Sequence, residues 1–204
     1  QFEIAIQTTI ATENNRHVGI SLNIPVNAKM NTRFSVYSGG TDGFRKNHYT
    51  NITNSDGKNE LLIRNKTTWS PYSFIQFDLT TLYCQQNNKY DVWAPDNNEK
   101  LITYSDREGK DSQESRAVSL RSRVQNVAGF DLLSITSYSQ NDLEHSYDGD
   151  WGNSDFWSQA PYNVDGWDYY AIETTLRDRS TFTQEFRLLG KINNSSSFVS
   201  GIYL

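Results

Sequence analysis

Apolar side chains in this chain recur at every second position rather than at helical spacing. Phe2, Ile4, Ile6 and Ile10 alternate with Glu3, Ala5, Gln7 and Thr9, Thr8 being the exception. Val18, Ile20, Leu22, Ile24 and Val26 then alternate with His17, Gly19, Ser21 and Asn23. A period of two is the mark of a β-strand with one greasy face. The same pattern predicts a third strand around Phe34 and Val36, a fourth from Leu61 to Trp69, and a fifth through Ile75, Phe77, Leu79 and Tyr83. A sixth carries Val118, Leu120 and Val124. A seventh runs from Phe130 to about Ser139, its phase broken at Leu132-Leu133 in a way that predicts a bulge. An eighth holds Phe182, Phe186 and Leu188, and a ninth spans residues 197–204. No segment shows helical spacing, and the four prolines fall in or beside turns, with Pro25 near a strand end.

The connections between these strands alternate in length. Asn27-Ala28-Lys29, Tyr72, Gly129 and the 193–197 stretch make tight turns, whereas residues 40–58, 85–113 and 144–180 form long polar links. Loops beyond about 12–15 residues are uncommon in compact soluble domains. Short turns at one end and long loops at the other are the habit of a membrane-spanning β-barrel, whose strands need about 9–11 residues to cross. The expected fold is therefore all-β: an antiparallel up-and-down meander of about nine strands, a partial transmembrane β-barrel with long extracellular loops, occupying residues 1–204 as one domain.

Composition fits this reading. With 36% apolar residues and a mean hydropathy of −0.70, no run reaches the roughly 18 apolar residues of a spanning helix. An aromatic content of 13%, regularly placed, argues against disorder. The polar faces carry charges of both signs (Arg33, Arg64, Lys66, Asp78, Arg121, Arg123, Glu185 and Arg187), which suits a wet lumen, and Trp69, Tyr72, Tyr83 and Tyr203 near strand ends suit interfacial girdles. A net charge of −5 without a basic cluster gives no nucleic-acid footprint. Cys84 stands alone, and the opening at Gln1 lacks a charged-then-apolar leader, as a mature or excised segment would. Asn-x-Ser/Thr triplets such as those at Asn51, Asn65 and Asn194 are expected by chance in a chain so rich in these residues.

Candidate chemistry is sparse. The run from Asp148 to Asp155 alternates carboxylates and amides like a calcium loop, but has Asn153 where the sixth-position glycine belongs and Gln159 where the closing glutamate belongs. A solvated acidic loop is the expectation. His17, His48 and His145 lack ligand spacing, and His17 is expected on the lumenal face. Asp91 and Asp96 could be paired as glycosidase acids only as any Asp-rich loop could. No nucleophile elbow or phosphate loop is present, so neither catalytic residues, metal nor cofactor are expected. The loops do concentrate aromatic rings: Tyr90 and Trp93 in one, Trp151, Trp157, Tyr162, Trp167, Tyr169 and Tyr170 in another. These are the candidate ligand contacts, since rings add contact area at low entropic cost. Phe156 is expected to pack the loop internally.

Particular stretches carry a resemblance. Thr32-Arg-Phe-Ser-Val-Tyr with Thr41-Asp-Gly-Phe-Arg-Lys-Asn, then Tyr90-Asp-Val-Trp-Ala-Pro-Asp-Asn-Asn leading to Thr103-Tyr-Ser-Asp-Arg-Glu-Gly-Lys-Asp-Ser-Gln, resemble the TonB-dependent outer-membrane receptor family. So do Leu133-Ser-Ile-Thr-Ser-Tyr, Tyr147-Asp-Gly-Asp-Trp-Gly-Asn-Ser-Asp-Phe-Trp, and Thr183-Gln-Glu-Phe-Arg-Leu before Phe198-Val-Ser-Gly-Ile-Tyr. In order and spacing they match the first part of the receptor barrel, across essentially the whole chain. The resemblance implies a segment of a barrel of about 22 strands, with the plug domain, its TonB-contacting segment and the later strands absent from these residues. It also implies energy-coupled uptake of a scarce nutrient, an iron–siderophore complex first, with the TonB complex, outer-membrane lipid and a small iron chelate as partners. The location implied is the outer membrane of a Gram-negative bacterium. Two other functions stay open on the residues alone: a passive porin-like channel, and a secreted carbohydrate-binding β-sandwich, which would turn the same greasy faces inward.

Overall fold

A computed structural model describes the chain apart from residues 165, 167–169, 171 and 194 and the side chains of 192 and 193. In order, the elements are β1 (Glu3–Ile10), β2 (Arg16–Asn27), β3 (Met30–Thr41), β4 (Lys46–Asn47), β5 (Lys58–Tyr72), β6 (Ile75–Lys89), β7 (Ile102–Thr103), β8 (Lys110–Val127), β9 (Phe130–Asp148), α1 (Ser154–Ser158), β10 (Ile172–Asn193) and β11 (Ser196–Tyr203). Nine of the strands form one antiparallel sheet in the order β1-β2-β3-β5-β6-β8-β9-β10-β11, each paired with its sequence neighbours among the long strands. The other two, β4 and β7, pair in parallel inside the loops. The up-and-down meander of nine strands expected from the alternation is the fold found.

The sheet has one layer. Among the described residues each strand touches only the strands beside it, and the sole buried apolar side chain is Leu133. A folded water-soluble protein of 23.4 kDa would expose about 9,700 Å²; this chain exposes 13,600 Å². Register explains where the excess lies. Ile6 pairs with Ile20, Ile20 with Val36, Val36 with Ile63 and Ile63 with Tyr83, so one face is apolar from strand to strand. Leu79 with Leu120 and Val124 with Leu132 and onward to Leu188 continue it. Among the described residues nothing packs on this face: Ile20 and Val118 stay 42% and 41% exposed. A sandwich would have brought them together.

All eight charged residues assigned to the polar face share it. Arg33 pairs with Lys66, Asp78 with Arg121, and Arg123 and Arg187 both with Leu133. Arg123 Nη2 lies 2.6 Å from Asp131 and Arg187 Nε 2.5 Å from Glu185. His17 also takes this face, its Nδ1 2.6 Å from the Tyr37 hydroxyl.

Three expectations need correction. The predicted bulge at Leu132-Leu133 is absent: register runs unbroken there, with Leu132 on the apolar face and Leu133 on the polar face, flanked by the two arginines. The doubled leucine reflects one apolar residue on the polar side, not a slipped strand. The bulges lie instead before the short turns, at Pro25/Asn27, Trp69/Tyr72, Val124/Val127 and Lys191/Asn193, one extra residue each. At the second of these the extra residue turns Trp69 and Tyr72, three apart, to the same face; at the first, Pro25 stands where a missing N–H costs least. Secondly, Tyr203 is no girdle residue, because it pairs with Glu185 and so shares the phase of the polar face. Lastly, a five-residue helix, α1, exists where no helical signal was read.

The strands also outrun their apolar patterns. β6 continues through Gln85-Gln86-Asn87-Asn88-Lys89, and β9 and β10 pair as far as Asp148 and Ile172. The connections at that end shorten to 42–57, 90–109 and 149–171, beside 11–15 between β1 and β2, while at the other end two residues join each pair. Above the apolar band both faces are polar, so alternation leaves no trace in hydropathy even though the backbone ladder persists.

Candidate functional site

The long connections are knitted together by polar side chains. Asp91, just past the end of β6, is 7% exposed, and its carboxylate accepts from Asn47 Nδ2 at 2.9 Å, Thr103 Oγ1 at 2.6 Å and Ser105 Oγ at 2.9 Å. Thr103 belongs to β7 and Asn47 to β4, so the small parallel ladder and this carboxylate hold loops 42–57 and 90–109 in one piece. Burial pushes the Asp91 pKa up, and the hydrogen bonds from Thr103, Asn47 and Ser105 pull against it. Asp56 does a similar task for its own loop, its Oδ1 accepting from the Phe44 and Arg45 amides at 3.0 and 2.8 Å. At Gly109 a Cβ would sit 1.8 Å from the Tyr90 carbonyl oxygen, which is why the return of loop 90–109 onto β6 requires glycine.

The third loop joins through the Asp148–Asp155 run. Asp148, 2% exposed, accepts from the Asp106 and Asp150 amides at 2.9 and 3.2 Å. Asp150 accepts from the Gly152 amide and from Trp157 Nε1 at 3.1 Å. Asn153 caps α1 by accepting from the Phe156 amide at 2.9 Å and donates to the Tyr104 carbonyl at 2.6 Å. The run expected to be a solvated acidic loop is therefore buried at Asp148, Gly152 and Asn153, where the Asp148 and Asp150 carboxylates serve backbone amides, while Trp151 and Asp155 stay exposed. No group of three or more His, Cys, Asp or Glu among the described residues is arranged to hold a metal. Burial, with Asp150 and Asp106 nearby, raises the Asp148 pKa to about 7.

On this scaffold the predicted aromatic residues fall into separate groups. Tyr90 lies edge-on to His145 with centroids 4.5 Å apart, and Trp93 Nε1 reaches its hydroxyl at 3.4 Å. Trp93 and Trp151 face each other at 6.1 Å and are 57% and 40% exposed. Trp157 and Tyr162 pack together at 4.9 Å, and both contact Phe156, which also meets Tyr104 at 4.4 Å. Tyr170 stands apart under the Arg107 guanidinium, 3.3 Å from its ring centroid. Trp167 and Tyr169 lie outside the described residues.

Between the loops opens a cleft of about 800 Å³, lined by His48 and Tyr49 from the first loop, Asp96 and Tyr104 from the second, and Phe156 and Tyr162 from the third. That volume is within the range of small-molecule sites. The Tyr104 hydroxyl donates to Asp96 Oδ2 at 2.9 Å, and burial together with the Asp96 carboxylate pushes its pKa up to about 12. Of the predicted ligand contacts among the described residues, only Tyr162 lines the cleft. Tyr49 and Tyr104 are rings in the same long loops and would have been found by the same rule; His48, an isolated histidine, and Asp96, one of an unspecific carboxylate pair, gave no signal for the cleft. The carboxylates Asp91 and Asp96, a conceivable catalytic pair, are separately engaged, one by the buried network and one by Tyr104 and Asn98.

No protein-family model and no curated protein matches the chain. Solved structures do match in fold. The siderophore receptor PiuA from Acinetobacter baumannii superposes over 98% of this chain with a TM-score of 0.73 at 16% identity. The ferric-catecholate import receptor Fiu from E. coli K12 superposes over the whole chain, with a TM-score of 0.71 at 11% identity in its open form and 0.69 at 12% in its closed form. The chain spans only 29–34% of the length of these receptors. It has the fold of part of such a receptor, the fold the sequence resemblance implied.

Proposed function

We propose that this chain is a segment of the barrel of a TonB-dependent outer-membrane receptor that takes up a scarce nutrient, an iron–siderophore complex first. The observation that carries this is the single-layer sheet whose apolar face meets no protein, in a chain that superposes end to end on siderophore and ferric-catecholate receptors. An uncovered apolar band of this extent is stable only against hydrocarbon. Long polar loops fused into one body at one end then supply an outward-facing capture surface. The secreted sandwich would need a second sheet over Ile20 and Val118, where the described residues place none. In this reading the TonB complex engages a plug domain outside these residues, and the protein resides in a Gram-negative outer membrane.

The test is made on the protein expressed in such a host. It should fractionate with the outer membrane, migrate differently on gels before and after boiling, restore growth on a ferric chelate under iron limitation, and take up the labelled chelate only while the proton-motive force is intact. Uptake that continues after the force is collapsed would turn the assignment toward a passive channel; recovery as a soluble monomer without detergent would end it.

A further inference from the structure

The loop cleft carries a charge sign that narrows its ligand. Its floor is aromatic, with Tyr104 and Phe156 at 4.4 Å and Phe156 and Tyr162 at 5.1 Å, and Ile102 and Pro161 add apolar surface. The charged side chains lining it are both acidic: Asp96, exposed and receiving hydrogen bonds from Tyr104 and Asn98, and Asp155, exposed in the first turn of α1. No Lys or Arg is among the described residues that line it; His48 is the one basic group. The surroundings agree in sign, since segments 42–57, 90–109 and 149–171 together hold eleven Asp and Glu against four Lys and Arg. The polar face of the sheet below is mixed instead, with Arg33, Arg64, Lys66, Arg121, Arg123 and Arg187 beside Asp78, Asp131 and Glu185. A cleft with walls of one charge concentrates ligands of the other sign and repels its own.

We infer that the cleft formed by Tyr104, Phe156 and Tyr162 with Asp96 and Asp155 binds a small ligand of neutral or positive net charge with a flat or apolar part, and discriminates against polyanionic chelates. This deepens the proposed receptor function and rests on it. The rings take the flat portion of the ligand, and an ammonium or similar cation lies toward Asp96 and Asp155. A ferric trihydroxamate bearing a pendant ammonium, with net charge +1, has this chemistry; a ferric tris-catecholate, with net charge −3, has the opposite.

The experiment compares those two chelates by quenching of tryptophan emission in the protein purified in detergent, Trp157 lying 5.3 Å from Phe156 as a reporter. The cationic chelate should bind at least about tenfold more tightly at low salt, the preference shrinking as salt is raised to about 0.5 M, where the screening length is only a few ångströms. Asp155→Asn alone should reduce the preference, and Asp96→Asn with Asp155→Asn should bring the two affinities within about twofold, with boiling-sensitive migration unchanged. Equal or tighter binding of the trianion by the unaltered protein overturns the inference, as does a preference that survives the double substitution. If neither chelate binds to protein that inserts correctly, the cleft assignment is wrong while the barrel stands; if the protein does not insert either, the receptor reading falls with it.

Discussion

Asp91 is the residue on which the outer loops turn. Its carboxylate is the shared acceptor of Asn47, Thr103 and Ser105, and Thr103 and Ser105 are almost wholly out of water. Removing the acceptor leaves at least two hydroxyl donors buried without it, and each such group costs about 1–3 kcal/mol. We expect Asp91→Ala to destabilise the loop body by about 3–5 kcal/mol, read as faster amide exchange and proteolysis within 42–57 and 90–109, and Asp91→Asn, which keeps the shape and one acceptor, to cost about 1 kcal/mol. Equal effects would mean the carboxylate is incidental. Asp148 gives the pH dependence. Its folded pKa of about 7 stands above its ordinary value of 3.8, so the folded loops hold a proton that the open loops release. Their stability is therefore greatest below about pH 4 and falls as pH rises from there to about 7. Exchange of the Asp106 and Asp150 amides, corrected for its intrinsic pH dependence, should be faster at pH 8 than at pH 5, and Asp148→Asn should flatten that difference.

At the scale of elements, alternation decides which side of each strand tolerates what. Leu120 and Ser119 are neighbours on β8, one paired with Leu79 on the apolar face and the other with Thr80 on the polar face. Leu120→Arg should cost about 2–4 kcal/mol if it lies near the middle of the bilayer, whereas Ser119→Arg should change stability little. Urea unfolding in lipid vesicles distinguishes these outcomes, and a reversed order would mean the sheet is inside out. The turn between β8 and β9 is as selective: Ala128 and Gly129 have φ of 52° and 88°, so Gly129→Val should cost about 1–2 kcal/mol. The strands were legible because one face must be apolar and the other polar, which writes a period of two at Ile75–Tyr83 or Val18–Val26. Their outer extensions were not, since Asn87 and Ser112 pair across a ladder wet on both sides. The loop body was illegible for a related reason. Its core is made of Asn47, Ser55, Thr103, Ser105 and Asn153, which in sequence look like any polar loop. The rings were visible as a group, but which of them would share the cleft depended on that hidden polar core.

For the whole molecule, the two ends of the sheet predict two environments for tryptophan. Trp69 lies on the apolar face close to a two-residue turn, 47% exposed and stacked at 5.5 Å on Phe77, with Tyr72 and Phe74 beside it. Trp93 and Trp151 sit in the loop body at the opposite end, beyond the polar extensions of β6 and β8. If the apolar face meets hydrocarbon, Trp69 belongs at the lower boundary of the bilayer, where an indole places its ring toward the acyl chains and its N–H toward water. Trp93 then stands well clear of the membrane. Single-tryptophan variants retaining Trp69 or Trp93 test this directly in reconstituted vesicles. Lipids brominated on the acyl chain near the headgroup should quench most of the Trp69 emission and leave Trp93 nearly untouched, and aqueous iodide should do the opposite. Equal quenching of both by iodide would place Trp69 in water, which an apolar face turned to lipid does not allow.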